Sequence, residues 1–257
     1  MPLVRTEGVL LRAHAFGDTS RILRFYTRDL GLAGVMARGV RKRGGKTGSG
    51  LSTFAEGVLD VYVKPTRDLH TLRDFSCTHA RIALARDVLR FAAASALAEL
   101  VMSHAGEEPN EWLFLALREG LESLEEARAP LVPNACLSGL WRVVAALGYR
   151  PELDRCVSCG RSLEPAETAI FDHAAGGLRC EACTRDRTGP RVGPVSRARI
   201  SELLDGVPPE PVRRPRGHLV LLSDFIAYHV AGKRLRSVGF LSELLSTRSG
   251  RREDRDA

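Results

Sequence analysis

At 257 residues the chain is about 1.7 times the length of a typical domain, which excludes a single small module and points to two domains or one with an insertion. It carries 38 basic and 31 acidic side chains, a formal +7, and only four cations are Lys (Lys42, Lys46, Lys64, Lys233), leaving 34 Arg. Two explanations of that bias stand side by side: Arg forks match phosphate and carboxylate groups on a nucleic-acid or acidic partner, and a GC-rich genome writes Arg in place of Lys. No stretch reaches the ~20 uninterrupted apolar residues of a membrane helix, and MPLVRTEGVLLRAHAFGD lacks a signal-peptide pattern. A soluble cytoplasmic protein is expected, in which the six cysteines stay reduced and open to metal.

Residues 1–79 read as strands. Val9, Leu11 and Ala13 alternate with Leu10 and Arg12, Ile22–Tyr26 and Leu32–Ala37 are short apolar runs, and Leu59, Val61 and Val63 alternate with Asp60 and Tyr62. Turn residues at Gly17-Asp18, Arg28–Gly31 and Pro65–Asp68 separate them, the last preceding a fifth strand over Leu69–Phe75. Five short strands predict a closed or partly closed barrel, since a flat sheet of that size leaves its edges bare.

From residue 80 the period changes. Ile82, Ala85, Leu89, Ala92, Ala96 and Leu100 predict one helix; Asn110 as N-cap, with Leu113, Leu117, Leu121 and Leu124, predicts a second. Pro130 and Pro133 close that stretch, and a third helix runs from about Asn134 to a glycine cap at Gly148. Residues 153–190 interrupt the helical pattern. Helices resume over Arg197–Leu204, His218–Leu235 and Val238–Leu245, and residues 248–257, with seven charges in ten, read as a disordered tail. The expected division is therefore a barrel (1–79), a helical part (80–152 and 191–247), an insertion (153–190) and a tail (248–257).

Within the insertion, Cys156-Val-Ser-Cys159 and Cys180-Glu-Ala-Cys183 are two CxxC pairs twenty residues apart. A two-residue spacer lets both sulfurs of a pair reach one ion at ~2.3 Å, so the two pairs predict a zinc site made of four thiolates. A redox dithiol normally occurs once, beside a βαβ pattern that is absent here. Four thiolates leave no open position for water or substrate, so the single zinc is expected to be structural and to fold a segment too small for its own core. His173 lies between the pairs and is expected at the surface; Cys77 and Cys136 have no partner at useful spacing and read as small buried residues.

Arg38, Arg41, Lys42, Arg43 and Lys46 place five cations in nine residues after the third strand, the densest positive run in the chain. Flanked by glycines, they suit a phosphate backbone, where counterion release tolerates imprecise geometry; a solvated loop is the plainer reading. Gly45-Lys46-Thr47 is not a P-loop, because the position that needs glycine is Val40. The histidines are scattered, Glu119, Glu122, Glu125 and Glu126 fit a solvated helix face, and no catalytic string appears, so no enzyme is expected.

The order barrel, basic loop, helices, four-cysteine insertion, helices resembles the RecO family of bacterial DNA repair and recombination mediators. The resemblance is carried by Val9-Leu10, Gly17–Ile22, Phe25–Thr27 to Gly31, Met36–Arg41 and Leu51–Phe54, and near the other end by His229–Arg236 with Ser237 and Phe240-Leu241. It spans residues 4 to about 246. It implies an OB fold for residues 1–79, binding of single- and double-stranded DNA, annealing of complementary strands, and help in loading RecA onto strands coated by single-strand-binding protein, with RecR as partner and a place at the nucleoid. It adds to the reading of Arg38, Arg41, Lys42, Arg43 and Lys46 as DNA contacts, with Arg12 and Arg24 as further candidates, and implies a seat in the helical part for the acidic tail of single-strand-binding protein. The competing reading is a zinc-ribbon interaction scaffold or regulator without direct DNA binding; a third is a transferase or nuclease with an unfamiliar motif. Barrel aromatics available for stacking are few: Phe16, Phe25, Tyr26, Phe54, Tyr62 and Phe75.

Charge separates along the chain. Residues 1–80 hold 13 basic and 7 acidic side chains (+6), residues 81–155 hold 8 and 11 (−3), and residues 156–257 hold 17 and 13 (+4). Genome composition explains Arg over Lys; it does not explain a basic barrel beside an acidic middle.

Overall fold

Period-two patterning folds the first eighty residues into β1 (Leu3–Phe16), β2 (Ser20–Thr27), β3 (Gly31–Ala37), β4 (Glu56–Tyr62) and β5 (Leu69–His79). They close into a barrel in the order β1-β2-β3-β5-β4, with β4 pairing back onto β1 and β3 running parallel to β5. This is the five-stranded OB-type barrel expected. The computed structural model describes residues 1–40, 50–64, 68–184, 189–232 and 234–253.

Leu10, Leu23, Phe25, Val35, Leu59, Val61, Leu72 and Phe75 fill the barrel interior. Val9, Leu11, Tyr26 and Phe54 instead join a second core built by the helices. A bulge in β1 makes this possible. Register runs Leu10 opposite Phe25 and then Arg12 opposite Arg24, so Leu11 is the extra residue. Without it Arg12 would take the inward phase next to Leu23, a buried unpaired charge. The bulge thus keeps Leu11 with the helices and Arg12 outside.

The helical part consists of α1 (Ile82–Arg86), α2 (Val88–His104), α3 (Glu111–Glu126), α4 (Val132–Ala146), α5 (Pro194–Asp205), α6 (Pro215–Ile226) and α7 (Arg236–Glu253). The single helix expected from Ile82 breaks at Asp87, whose side chain accepts from the Arg90 N–H and caps α2. Asn110 caps α3 as expected, accepting from the Leu113 N–H at 3.0 Å. Pro133 does not end a helix; it lies in the first turn of α4, where a missing N–H costs nothing. Gly120 and Gly139 let α3 and α4 cross closely over Leu97, since a Cβ on either would sit 3.2 Å from its Cδ1.

The helix expected over His218–Leu235 is also divided. After α6 the backbone widens into a π turn, Ala227–Ala231, closed by Gly232 at φ +58°. The last helix continues through Glu253, into the segment read as a tail. A sequence poor in apolar residues gives no reason for a buried face, but it does not oppose helix: Arg, Ser and Glu are all compatible with one. Glu99 of α2 anchors the start of α7: the N–H groups of Arg236 and Ser237 and the Ser237 hydroxyl all donate to the Glu99 carboxylate.

Barrel and helices meet at a buried ionic junction. Arg81, in the left-handed region at φ +47° and almost fully buried, pairs with Glu56 of β4 at 2.5 Å and Glu125 of α3 at 3.8 Å. His79 also reaches Glu125, at 2.8 Å. Arg28 adds a second strap, pairing with Glu7 at 3.0 Å while its guanidinium lies 5.5 Å over the Phe114 ring.

Candidate functional site

Two features carry the chemistry the sequence points to. The first is the outer face of β1, β2 and β3. Because Leu23 and Phe25 point inward, Ile22, Arg24 and Tyr26 take the outer phase of β2, and the β1 bulge brings Arg12 into register with Arg24. On β3 the residue opposite Arg24 is Gly34, where a Cβ would stand 2.7 Å from the Asp68 carbonyl oxygen and 3.1 Å from the Arg24 guanidinium; glycine there admits the backbone leading into β5 and also leaves the guanidinium room across the strand. His14 opposite Ile22 and Phe16 opposite Ser20 continue the face, with Phe16 54% exposed. Arg38 follows β3 and is exposed.

Two cations directly opposite on neighbouring strands repel, at a cost of about 0.2–1 kcal/mol. Arg5, further along β1, has Asp60 opposite it. Among the described residues, Arg12, Arg24 and Arg38 have no carboxylate within ion-pair distance. A face that retains such repulsion is set up for an anion that relieves it. Arg41, Lys42, Arg43 and Lys46 lie outside the described residues.

The second feature is the insertion. β6 (Ala169–Asp172), β7 (Gly177–Arg179) and β8 (Arg191–Val192) form a three-stranded sheet in the order β7-β6-β8. Gly176, at φ +78°, turns β6 into β7, and Gly177 passes so close to Glu152 that a Cβ there would collide with the Glu152 carbonyl oxygen. The first cysteine pair sits on a turn closed by the Gly160 N–H donating to the Cys156 carbonyl at 2.9 Å, the second on a 3-10 turn over Glu181–Cys183.

These turns bring the Sγ atoms of Cys156, Cys159, Cys180 and Cys183 within 4.8 Å of one another, with Cys159 and Cys180 3.9 Å apart. A tetrahedron with ~2.3 Å zinc–sulfur bonds has edges of about 3.8 Å, so the spacing fits. The electrostatics fit too. Burial opposes ionisation of Cys156, but the N–H groups of Cys180, Cys159 and Ser158 outweigh it and bring the thiol down to about 6. Cys180 is likewise lowered against its burial, helped by the Cys183 N–H and the Arg161 guanidinium. Cys183, whose thiol is hydrogen-bonded to Cys180 and Cys159, is pushed up to about 12. Four thiolates crowd one another unless a cation sits among them.

The remaining candidates fall elsewhere. His173 is not part of the four-thiol cluster and is half-buried; its ring packs 5.2 Å from Phe171 and its backbone carbonyl accepts from His229 at 2.5 Å. Cys136 is buried, which pushes its thiol up to about 12 and leaves it unreactive; Cys77 is only half-buried. Of the barrel aromatics, Phe25, Tyr26, Phe54 and Phe75 are core residues. Sequence reasoning passed over Trp112, 78% exposed on α3, and Tyr149 and Tyr228, which flank His229; an aromatic side chain gives no local sign that it faces solvent. No described helix is long and apolar enough to cross a membrane.

The chain matches two family models, recombination protein O N terminal over residues 1–81 and recombination protein O C terminal over residues 85–238. It is 31% identical over 252 residues to the DNA repair protein RecO of Syntrophus aciditrophicus, covering 93% of this chain and 95% of that protein. The DNA repair protein RecO of Desulfatibacillum aliphaticivorans is 31% identical over 258 residues, at 95% and 98% coverage. That of Myxococcus xanthus is 31% identical over 248 residues, at 93% and 96% coverage.

Proposed function

The chain belongs to the recombination protein O family, and from that premise we propose that it is a DNA-binding mediator of repair that works without catalysing a covalent step. It holds single- and double-stranded DNA on the outer face of β1–β3 through Arg12, Arg24 and Arg38, with Arg41, Lys42, Arg43 and Lys46, which follow in the sequence, as further phosphate contacts. The observation that carries this is the opposed, exposed Arg12–Arg24 pair with Gly34 beside it. Phosphate contact of this kind reads no sequence and leaves base edges free. Two strands drawn to one cationic face lose much of their mutual repulsion while their bases remain able to pair, which is the physical requirement for annealing. In the same reading the protein anneals complementary strands, binds single-strand-binding protein and RecR, and helps RecA onto coated strands.

Zinc fits the four-thiol cluster and would be held by Cys156, Cys159, Cys180 and Cys183, supplying cross-links rather than reactivity because all four positions are filled. Cys156 and Cys180, with Leu163, Phe171 and Leu178 of the insertion, belong to the same apolar core as the helices, so the metal steadies one wall of that core.

A second reading, an interaction scaffold that does not touch DNA, is favoured by the exposure of Trp112, a residue type common at protein contact centres. An annealing assay with complementary oligonucleotides, run with and without single-strand-binding protein, separates the two. Faster annealing on naked and coated strands supports the mediator; binding to the coating protein with no effect on naked strands supports the scaffold.

A further inference from the structure

We propose a second contact for unpaired bases, remote from the barrel: a ring platform formed by Tyr149 and Tyr228 around His229, where the helical part meets the four-cysteine module. The proposal rests on the DNA-binding reading above and extends it. Proteins that hold single strands combine a cationic path for phosphates with aromatic faces for bases. The barrel supplies the first and is short of the second, since four of its six aromatics are core, leaving Phe16 and the half-buried Tyr62.

The missing faces stand elsewhere. Tyr149 is 39% and Tyr228 60% exposed, with ring centroids 5.6 and 5.0 Å from that of His229. His229 in turn lies 4.6 Å from Phe225, which packs against Trp141 and Phe171 in the core. The rings form a continuous chain of tilted and edge-on contacts from interior to surface, so the outer rings are firmly mounted. The His229 Nε2–H donates to the His173 carbonyl at 2.5 Å, pinning the central ring to the zinc module.

Special backbone puts both tyrosines in place. Tyr149 follows Gly148 at φ +95°, and its N–H closes the end of α4 on the Val144 carbonyl at 3.1 Å. Tyr228 and His229 occupy the π turn, a distortion that inserts one residue into a helix and recurs at functional sites.

Cations border the platform. Arg150 pairs with Asp205 at 3.1 Å and Arg234 with Asp224 at 2.6 Å; both guanidinium groups are more than half exposed, and such pairs yield readily to a phosphate. Asp224, one turn before Tyr228, also lines a groove of about 910 Å³ between α5 and α6, together with Arg191, Arg199, Arg213 and Arg214. Phosphates along that groove would bring the next bases to the rings.

The test compares an oligothymidylate with the same backbone carrying abasic sites, and both with a duplex, against wild type, Tyr149→Ala with Tyr228→Ala, and Tyr149→Phe with Tyr228→Phe. The alanine pair is expected to lose about tenfold in affinity for the oligothymidylate and to lose the preference for it over the abasic strand, while the salt slope and duplex affinity stay unchanged; the phenylalanine pair retains wild-type behaviour. Thermal melting and zinc content establish that each variant is folded. Unchanged oligothymidylate affinity in a folded alanine pair overturns the platform while leaving the barrel reading intact, and the same holds if that pair loses only single-strand-binding protein. A wild-type protein that binds none of the three nucleic acids overturns both.

Discussion

Replacing Arg12 and Arg24 together by alanine removes the cations on which the barrel face depends. Each is exposed, each is free of carboxylates among the described residues, and they stand opposite each other across β1 and β2, so each is positioned to neutralise one phosphate. Each phosphate contact to a single strand contributes about −0.7 to the slope of log affinity against log salt, so the double variant should flatten that slope by about 1.4. The affinity lost is then about tenfold near 200 mM salt and about sixtyfold near 50 mM. Fluorescence anisotropy of a labelled oligonucleotide over a salt series measures both quantities. Stability should move the other way, rising by a few tenths of a kcal/mol as the repulsion between the two arginines is relieved. Arg5→Ala, removing a cation that already faces Asp60, is the control and should change the slope far less. An unchanged slope in the double variant, or an equal change in the control, refutes the assignment of the face.

The Arg81 junction should be among the least tolerant positions: Arg81→Ala strands Glu56 and Glu125 with weaker partners and should cost about 3 kcal/mol, read by thermal or urea unfolding. Arg81→Gly should be milder by about 1 kcal/mol because glycine adopts the left-handed conformation freely, and adding Glu56→Gln to either should recover part of the loss. Glu99→Gln should destabilise the docking of α7 by about 1 kcal/mol at neutral pH, checked by hydrogen exchange in α7. Burial works against the Glu99 carboxylate, yet the donors from Ser237 and Arg236 hold it below its usual 4.5; its contribution is therefore complete above that value and is lost as pH falls through the lower folded-state value, where wild type and variant converge. Metal analysis should find one zinc per chain, falling towards zero in Cys156→Ser with loosening of the module in hydrogen exchange; freshly purified wild type without zinc sinks the assignment.

What was legible in the sequence was what local chemistry decides. Two CxxC pairs define their ligand set by spacing alone, and Asn110 caps α3 because a side-chain oxygen needs only the N–H three residues on. The five strands were legible as alternation, but their closure was not: the parallel pairing of β3 with β5 joins residues more than thirty positions apart. Leu11 shows the limit within a single strand. Its alternation with Leu10 and Arg12 looks regular, and only the pairing partner reveals that it is an extra residue. The breaks at Asp87 and at the π turn were missed because neither contains proline and the apolar spacing runs on across both; Asp87 caps α2 through the Arg90 N–H, a local bond that an aspartate inside a periodic run does not announce. Tyr149 and Tyr228 were missed for a related reason: an aromatic ring faces core or solvent according to how neighbouring elements pack, and composition is blind to that.

Strand β1 links two bodies of packed side chains. Leu10 fills the barrel, Val9 and Leu11 sit among the helices, and the next residue is Arg12 on the outer face. Under the proposed function, a pull on a strand held at Arg12 would be delivered, one peptide away at Leu11, to a side chain packed among the helices, and through their common core to the wall that carries the four thiols. The barrel is a coupled part of a single mechanical frame. Cut free at His79, it would bare Val9, Leu11, Tyr26 and Phe54 together and would seek another copy to cover them.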